Sequence, residues 1–418
     1  MQIRSVWLML LGVEGGVFET ITFSQGLVQV HIRLAARKAG RCPVCRKPCP
    51  GYDHKNTPHV WRALDLGIVR TEISAMLSRI ECPEHGILQE SVPWARPGSN
   101  FTRHLEDTVA WLTARTNRTA VSSLMRIGWA TVTRIVERVC EEATRTMVFP
   151  TVTRIGVDEV SYRRGHRYLT VVVDHDTGRL LFAHPGKNAA ALDAFFEKLG
   201  PDLCAGIQLV SLDAAPQWRL SVRRYCPNAK LCLDPFHVVK WASDALDEIR
   251  RRVWRAARTG ADVSVAAGIK GLRFVLLKNP EDLSAPQRTT LETLERTNHP
   301  LFRGYLLKEE LRQVFKLKGE QGVALLDTWL VWARRSRLQE FTRVAASITE
   351  NLAAVRDALM TGLSNARVES LNTRMQLLTR TAFGFHSPDS LIAMAFLKLG
   401  GLCPPLPHAD TSTHSVRR

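Results

Sequence analysis

Apolar and polar residues alternate in two parts of the chain, and this period of two predicts β-strands. Near the N-terminus VQVHIRLAA alternates regularly, and VRTEISAMLSRIEC is interpreted as one strand that leads into a turn. Between residues 152 and 240 the strand-like runs are RIGVDEV, RYLTVVVDH, RLLFAHP, IQLVSLDA and AKLCLDPF. The first apolar run, in MQIRSVWLMLLGVEGG, is too short to span a bilayer and lacks a signal-peptide cleavage site, so it is also interpreted as a strand.

Apolar residues recur at helical spacing in most of the remaining chain, and the segment PWARPGSN is interpreted as a linker. These changes of pattern predict a multidomain α/β protein. The expected segments are a β-rich domain over residues 1–95, a helical pair over 101–147, an α/β core over 152–240 that resumes with final helices over 365–402, an Arg-rich all-helical insertion over 241–364 and a disordered polar tail over 403–418.

The chain carries a large excess of positive charge. Among its 418 residues, Lys and Arg number 57 and Asp and Glu number 40, which gives a formal net charge of +17 and a pI near 9.9. Such an excess repels itself unless an anionic partner binds, and nucleic acid is the commonest one. A membrane surface is the alternative, but the sequence shows no basic amphipathic membrane helix. With no export signal recognised, the expected compartment is the cytoplasm, and the cysteines favour metal binding or free thiols over disulfides.

Two short cysteine motifs predict a zinc site. Cys42 and Cys45 form a CxxC, and Cys82 and His85 form a CxxH. In each motif a tight turn directs both side chains to the same side, so each pair supplies two corners of a tetrahedron. Two such turns on adjacent hairpins form a zinc ribbon, which its metal stabilises. Free surface thiols are the alternative interpretation. Two further candidate ligands compete with these four: Cys49 and His54.

The segment TAVSSLMRIGWATVTRIVERV fits a helix–turn–helix motif, with Gly128 in the turn. The apolar residues expected to face inward are Ala120, Leu124, Ile127, Val132, Ile135 and Val139. The start of the second helix is then exposed, where side chains meet base edges. The residues predicted to contact DNA there are Trp129, Thr131, Thr133 and Arg134. Any antiparallel helix pair imitates this pattern, so an ordinary helical hairpin is the alternative.

Acidic residues stand within or at the ends of strands that otherwise look buried. Asp158 in RIGVDEVSY lies within a strand, where acids are depleted unless they are paired or bind a ligand. Asp213 ends the run LVSLD, and Asp234 ends LCLD with His237 close behind. The carboxyl edge of a sheet is a usual place for ligand-binding side chains. For each acid alone a role in a turn or cap is the alternative, and the acids of DHDTG are assigned to a hairpin turn.

The last acid of interest is Glu369, on a helix predicted over residues 365–380. Its apolar stripe consists of Val368, Leu371, Met375 and Leu378, and a narrow polar stripe beside it consists of Asn365, Glu369, Asn372 and Gln376. Such a stripe suits a helix that lays one carboxylate and several amides across a polar cleft. Two sheet carboxylates and one helix carboxylate are able to hold two Mg²⁺ or Mn²⁺ ions, because hard oxygen ligands select these metals.

The order of these parts resembles the ISL-three family of bacterial insertion-sequence transposases over nearly the whole chain. The resemblance is most specific in GVDEVSYRRGHRYLTVVVD, DPFHVVK and SNARVESLNTRMQLLTRTAFGF. It implies a DDE enzyme with an RNase H-like core, in which an all-helical insertion separates the second Asp from the Glu. The catalytic and magnesium-binding triad it implies is Asp158, Asp213 and Glu369. The residues placed near those metals are Asp234, His237, Asn365 and Asn372.

The sequence departs from the family pattern at two positions. His85 stands where the second zinc motif usually has a cysteine, which still leaves a Cys₃His set that binds zinc. Gln376 stands where the family helix often has Lys, and the loss of that charge is expected to weaken one phosphate contact.

The resemblance implies a transposase that binds the terminal inverted repeats of its own element, cleaves at the ends and joins 3′-hydroxyls to target DNA. Pairing of two ends implies a homodimer or a higher oligomer, associated with the nucleoid and not with a membrane. The arginines expected at DNA phosphates are Arg163, Arg164, Arg167, Arg367 and Arg380. A metal-dependent nuclease or resolvase on the same core and a non-catalytic DNA-binding repressor are the alternatives.

Overall fold

The computed structural model describes residues 3–54, 56–163, 167–213, 216–259, 268–382, 384–385 and 387–406. Its contacts divide the chain into two compact units, one formed by Met1–Met147 with Asp389–Arg418 and the other by Val148–Pro388. Arg164 and most of the tail predicted over 403–418, namely residues 407–418, lie outside the described residues. Within the described part of the chain, we find no helix with the length and apolar character needed to cross a membrane.

Two sheets form the β-rich part of the first unit. Its strands are β1 (Gly16–Ser24), β2 (Leu27–Leu34), β3 (Gly51–His54), β4 (His59–Arg62), β5 (Arg70–Ala75), β6 (Ser78–Cys82) and β7 (Gly86–Gln89). One sheet has the strand order β1-β2-β5-β4 and the other has the order β3-β6-β7. The alternation in VQVHIRLAA correctly predicted β2, whose residues Val28, Val30 and Ile32 are buried.

Two strand predictions in this unit are wrong. The first apolar run is a helix, α1 (Ile3–Leu10), and not a strand. Trp7 and Leu8 on α1 pack against the same core as Leu11, because helical spacing brings these residues to one side. A short apolar run does not distinguish helix from strand by period. The segment VRTEISAMLSRIEC forms β5 and β6 in two different sheets, so the chain changes sheet between Ala75 and Ser78.

Helices complete the first unit. They are α2 (Arg103–Thr113), α3 (Arg118–Met125), α4 (Trp129–Arg145) and, after the helices of the second unit in chain order, α16 (Pro388–Leu399). Side chains of Thr102 and Asn117 cap α2 and α3. Val132, Ile135 and Val139 are buried on α4, as predicted. The residues of α16 from Asp389 onward group with this unit, where the sequence pattern had suggested the α/β core, and Ser390 Oγ donates to Glu137 on α4.

The inner face of α3 differs from the prediction. Ala120 and Leu124 are exposed, Leu124 to 67%, and Val121 is fully buried in their place. Helix α3 spans 8 residues after its cap at Asn117, which is about two turns, so its buried side is narrow, and Val121 is the residue that occupies it.

The second unit is built on one mixed sheet. Its strands are β8 (Arg154–Arg163), β9 (Arg167–Asp174), β10 (Leu180–Pro185), β11 (Leu209–Leu212) and β12 (Lys230–Leu233), in the order β10-β9-β8-β11-β12. Strands β8, β9 and β10 are antiparallel, and β8, β11 and β12 are parallel. Helices α5 (Ala189–Leu199), α6 (Pro201–Ala205) and α7 (Pro216–Tyr225) connect them. The predicted mixed α/β architecture is confirmed, although α6 was not expected from the sequence.

A helical assembly follows β12. Its helices are α8 (Pro235–Thr259), α9 (Arg273–Leu277), α10 (Ala285–Thr297), α11 (His299–Leu317), α12 (Gly319–Arg335), α13 (Gln339–Glu350), α14 (Leu352–Thr361) and α15 (Ala366–Thr381). Trp329 and Phe341 lie at its core and are fully buried. Helix α8 runs without a break across residues 240 and 241, where the sequence pattern had suggested a boundary. Helix α15 packs against β8 and β9, which brings its first turn to the sheet.

Candidate functional site

The two cysteine motifs come together between β3, β6 and β7. The ligand atoms of Cys42, Cys45, Cys82 and His85 all lie within 4.8 Å of one another. Cys82 Sγ is 3.8 Å from Cys45 Sγ and 3.4 Å from His85 Nδ1. The hydrogen bond from His85 lowers the pKa of the Cys82 thiol to about 6, which favours the thiolate that a metal needs. Three thiols and one imidazole are the donor set of a structural zinc site.

Backbone turns hold these ligands. Arg46 N donates to Cys42 O over 3.1 Å, and Arg46 takes a positive φ of 62° to close the first turn. Glu90 accepts from the backbone N–H groups of Gly40 and Ser78, at 2.8 and 2.7 Å, so a single carboxylate links the first turn to the hairpin of the second. Of the two competing ligands, Cys49 stays outside the four-residue cluster, and its thiol donates to Lys47 O. The side chain of His54 lies outside the described residues.

Helices α3 and α4 form the predicted helix pair, with a turn in which Arg126 is left-handed and Gly128 precedes α4. At the start of α4, Trp129 is 42% exposed and Arg134 is exposed, whereas Thr131 and Thr133 are half-buried. This surface also contains Arg118, which was not predicted from the sequence.

Arg118 reaches from α3 to the start of α4. Its guanidinium lies 5.0 Å from the centre of the Trp129 ring, and its Nη1 donates to Thr133 Oγ1 over 3.2 Å. A cation in the first turn of a helix opposes the helix dipole. That unfavourable position was the sequence signal that could have identified Arg118.

Asp158 lies in the middle of β8 and is only partly accessible. Its Oδ1 accepts from Glu159 N, and its Oδ2 accepts from Asn372 Nδ2 on α15, both over 2.8 Å. Burial, together with the nearby charges of Asp213 and Asp234, raises the pKa of Asp158 to about 6. An acid that is buried beside other acids is a common feature of metal sites, because a cation relieves both penalties.

Asp213 and Asp234 directly follow the parallel strands β11 and β12. Asp234 is 2% exposed and binds two groups: its Oδ1 accepts from Asn365 N over 3.2 Å, and its Oδ2 is 3.0 Å from His237 Nδ1. That hydrogen bond raises the pKa of His237, and the charges of Asp213 and Asp158 act in the same direction. The imidazole therefore lies within the electrostatic field of the sheet acids.

Glu369 lies in the first turn of α15, with its carboxylate on the exposed side. Partial burial and the charge of Asp234 raise its pKa. The apolar stripe predicted on this helix is confirmed, since Val368, Leu371, Met375 and Leu378 are all buried. Among the described residues, the thiol–imidazole cluster is the one set of three or more ligand atoms within 4.8 Å of one another, so the carboxylates of the predicted triad lie farther apart than the zinc ligands do.

The remaining arginines fall in three places. Arg163 and Arg167 are exposed and pair across the end of β8 and β9, whereas Arg164 lies outside the described residues. Arg380 is exposed near the end of α15. Arg367 donates from Nη1 to Asp176 O over 3.0 Å, so it lies against the turn after β9. The hairpin turn predicted from DHDTG is confirmed: Asp174 accepts from Asp176 N and Thr177 N.

Comparisons with known proteins match all three parts of the chain. A zinc-finger model of transposases IS204, IS1001, IS1096 and IS1165 matches residues 38–85, a helix-turn-helix model of transposase family ISL3 matches residues 90–140, and the DDE transposase model of that family matches residues 155–395. The chain is 44% identical to a transposase for insertion sequence element IS1557 of Mycobacterium tuberculosis, over 95% of this chain and 96% of the relative. A transposase for IS1001 of Bordetella parapertussis is 26% identical, over 90% of this chain and 92% of the relative.

Proposed function

The chain belongs to transposase family ISL3, and from that premise we propose that it moves a bacterial insertion sequence by cleaving DNA at the ends of the element and joining those ends to target DNA. The observation that carries this proposal is the similarity to a transposase along almost the whole chain, together with the three family models in their order. The excess of positive charge suits the polyanionic substrate.

For the chemistry, we propose that Asp158, Asp213 and Glu369 hold two Mg²⁺ or Mn²⁺ ions. Carboxylate oxygens fit these hard cations, and burial together with neighbouring carboxylates raises the pKa of both Asp158 and Glu369, a penalty that a bound cation would relieve. Bound ions of this kind activate the attacking water or 3′-hydroxyl and stabilise the leaving oxygen. Asn372 orients the Asp158 carboxylate, and Asp234 orients His237 beside it.

Metal binding is expected to weaken as the pH falls through about 6, because protons compete with the metal for Asp158. The concentration of Mg²⁺ that gives half-maximal cleavage should therefore rise steeply between pH 7.5 and pH 5.5. The measurement is a Mg²⁺ titration of cleavage at each pH. Binding to DNA that carries a terminal sequence of the element, called the end DNA, is measured in parallel. An Mg²⁺ requirement that stays constant over this range would contradict the assignment of Asp158.

We further propose that Cys42, Cys45, Cys82 and His85 bind a structural zinc ion, and that the helix pair binds the terminal inverted repeats. The support for zinc is the convergence of four suitable ligands within a segment that matches a zinc-finger model. The bases would be contacted by the exposed start of α4, with Trp129, Thr131, Thr133 and Arg134, while Arg163, Arg164, Arg167, Arg367 and Arg380 contact phosphates. Because two ends must be paired, the active form is proposed to be a homodimer or larger, acting on nucleoid DNA in the cytoplasm.

Substitution Arg134→Ala is expected to weaken binding to the end DNA by about 1 to 3 kcal/mol, since this exposed guanidinium lies where base edges are read. The loss should be larger for end DNA than for DNA of unrelated sequence. Fluorescence anisotropy with both DNAs measures the two affinities. Arg145→Ala is the matched control, because Arg145 is exposed in the last turn of the same helix. Equal losses for the two variants on both DNAs would exclude base reading by Arg134.

A further inference from the structure

A chain of buried polar side chains crosses the sheet of the second unit below the first turn of α15. It links His175, which directly follows β9, to Ser211 on β11 and to Asn365 at the N-cap of α15. His175 Nε2 is 2.6 Å from Ser211 Oγ, and the Ser211 hydroxyl donates to Asn365 Oδ1. The three side chains are at most 5% exposed, so this is an interior connection and not a surface contact.

The hydrogen bonds among these three side chains run in one direction, from His175 through Ser211 to Asn365. Ser211 gives its one hydroxyl proton to Asn365, and it therefore accepts from His175 Nε2. Burial and the charges of Arg367 and Arg154 lower the pKa of His175 to about 4, so its ring is neutral at neutral pH and carries one proton, on Nε2. The imidazole serves here as a fixed donor.

Gly156 makes this connection possible. It lies on β8, between β9 and β11, and it pairs with Ser211 in the parallel register. A Cβ at Gly156 would lie 2.7 Å from His175 Nε2 and 2.3 Å from Cγ2 of Val368 on α15. The ring of His175 and the buried face of α15 both occupy the space that a side chain at position 156 would fill.

Asn365 does not use its side chain in the way that an N-cap residue usually does. An N-cap Asn normally accepts from a backbone N–H of the first helical turn, but the Asn365 side chain makes no such bond and points to Ser211. Its backbone N–H donates to the buried Asp234. The N-cap residue of α15 is thus tied to β11 through its side chain and to the residue after β12 through its backbone.

Glu369 lies one helical turn after Asn365, and its backbone N–H donates to Asn365 O over 2.8 Å. We propose that His175, Ser211 and Asn365 are positioning residues that fix where α15 begins and thereby hold Glu369 at the metal site. This inference rests on the proposed role of Glu369 as a metal ligand. Partners that orient metal ligands typically contribute about 10-fold to 100-fold in metal affinity, and a loss near the lower end of this range is expected when the hydrogen bonds among His175, Ser211 and Asn365 are broken.

The test uses the full-length, zinc-loaded protein and two readouts: Mn²⁺ affinity by electron paramagnetic resonance, and the Mg²⁺ concentration for half-maximal cleavage. Ser211→Ala is expected to raise the Kd for Mn²⁺ and the Mg²⁺ concentration for half-maximal cleavage by about 10-fold each, with cleavage partly restored at high Mg²⁺. Ser221→Ala is the matched control, because Ser221 is also buried and its hydroxyl donates to Gln217 O within its own helix α7. It should match the wild-type protein in both readouts.

A second pair of variants separates positioning from a general loss of stability. His175→Gln keeps an N–H donor and is expected to stay close to wild type, whereas His175→Leu should shift metal affinity as Ser211→Ala does. Wild-type metal affinity in Ser211→Ala and His175→Leu would overturn the inference. If Glu369→Gln cleaves normally, the proposed role of Glu369 as a metal ligand fails, and the positioning role fails with it. If Glu369→Gln is inactive while these variants bind Mn²⁺ normally, only the positioning role fails.

Discussion

Asp158→Asn is expected to abolish DNA cleavage. In the absence of divalent metal, the same substitution is expected to stabilise the folded protein. Removal of one carboxylate from a two-metal site costs several kcal/mol of transition-state stabilisation, so cleavage should fall by about 10³-fold or more. Binding to the end DNA should remain, because the helix pair that reads the DNA lies elsewhere in the sequence.

The stabilising effect follows from the raised pKa of Asp158. Burial raises that pKa from 3.8 to about 6, with Asp213 and Asp234 adding to the shift. Between these two values the folded protein retains a proton that the unfolded chain has lost, so the free energy of unfolding decreases as the pH rises through this window. At pH 7.5 the carboxylate is charged and the whole penalty is present. An amide at position 158 removes this cost of burying a charge, so the free energy of unfolding should increase by about 1 to 3 kcal/mol and Tm should rise by a few degrees.

The amide also fits the local hydrogen bonds. Oδ1 still accepts from Glu159 N. The Oδ1 of Asn372 is buried and has no hydrogen-bond partner among the described residues, so it can accept from the new amide once the Asn372 side chain flips. Asp176→Asn is the matched control, since Asp176 lies in an exposed turn and pairs with Arg154. It should cleave DNA normally and show no rise in Tm. Normal cleavage by Asp158→Asn would remove this residue from the catalytic site.

Cys82→Ser is expected to have the largest effect on stability. Cys82 is buried, lies near both Cys45 and His85, and carries a lowered thiol pKa. Zinc binding contributes about 10 to 16 kcal/mol in small zinc-dependent domains, so loss of one thiolate should release the metal and unfold the ribbon. Zinc content measured by mass spectrometry should fall from one ion per chain to almost none. End binding should be lost together with the zinc.

Two other cysteine variants serve as controls for this experiment. Cys403→Ser should keep zinc, because that thiol contacts Arg115 and Pro404 far along the chain from the cluster. Cys49→Ser should keep zinc as well, since Cys49 lies outside the four-residue cluster. Stoichiometric zinc in Cys82→Ser, with an unchanged Tm, would show that the metal is held by other residues.

Features with a strong local cause could be predicted from the sequence. The stripe on α15 and the alternation in β2 follow from helical and strand periods, and both are observed. The cysteine pairs could be matched because each spacing already fixes a local turn. The α1 helix could not be predicted, since tertiary packing of Trp7 and Leu8 decides its conformation where the period is ambiguous.

The connections between distant parts of the chain were beyond sequence reasoning for a different reason. Ser211 and Asn365 are separated by 154 positions, and no local pattern marks a pair that only the folded sheet brings together. The same holds for Asp158 and Asn372, which are 214 positions apart. The sequence and the family resemblance identified the candidate ligands and placed Asn365 and Asn372 near the metals, while the contacts these residues make, and the parts played by His175 and Ser211, became visible only in the folded structure.

The most direct test of the account is a strand-transfer assay. The zinc-loaded protein is incubated with Mg²⁺, a supercoiled target plasmid and labelled linear DNA that carries the sequences flanking its own gene. Transposition predicts that the label becomes covalently joined to the plasmid, and that Asp158→Asn, Asp213→Asn and Glu369→Gln each abolish joining while they still bind the ends. Cleavage without joining would identify a nuclease, and joining by Glu369→Gln at the wild-type rate would contradict the proposed site.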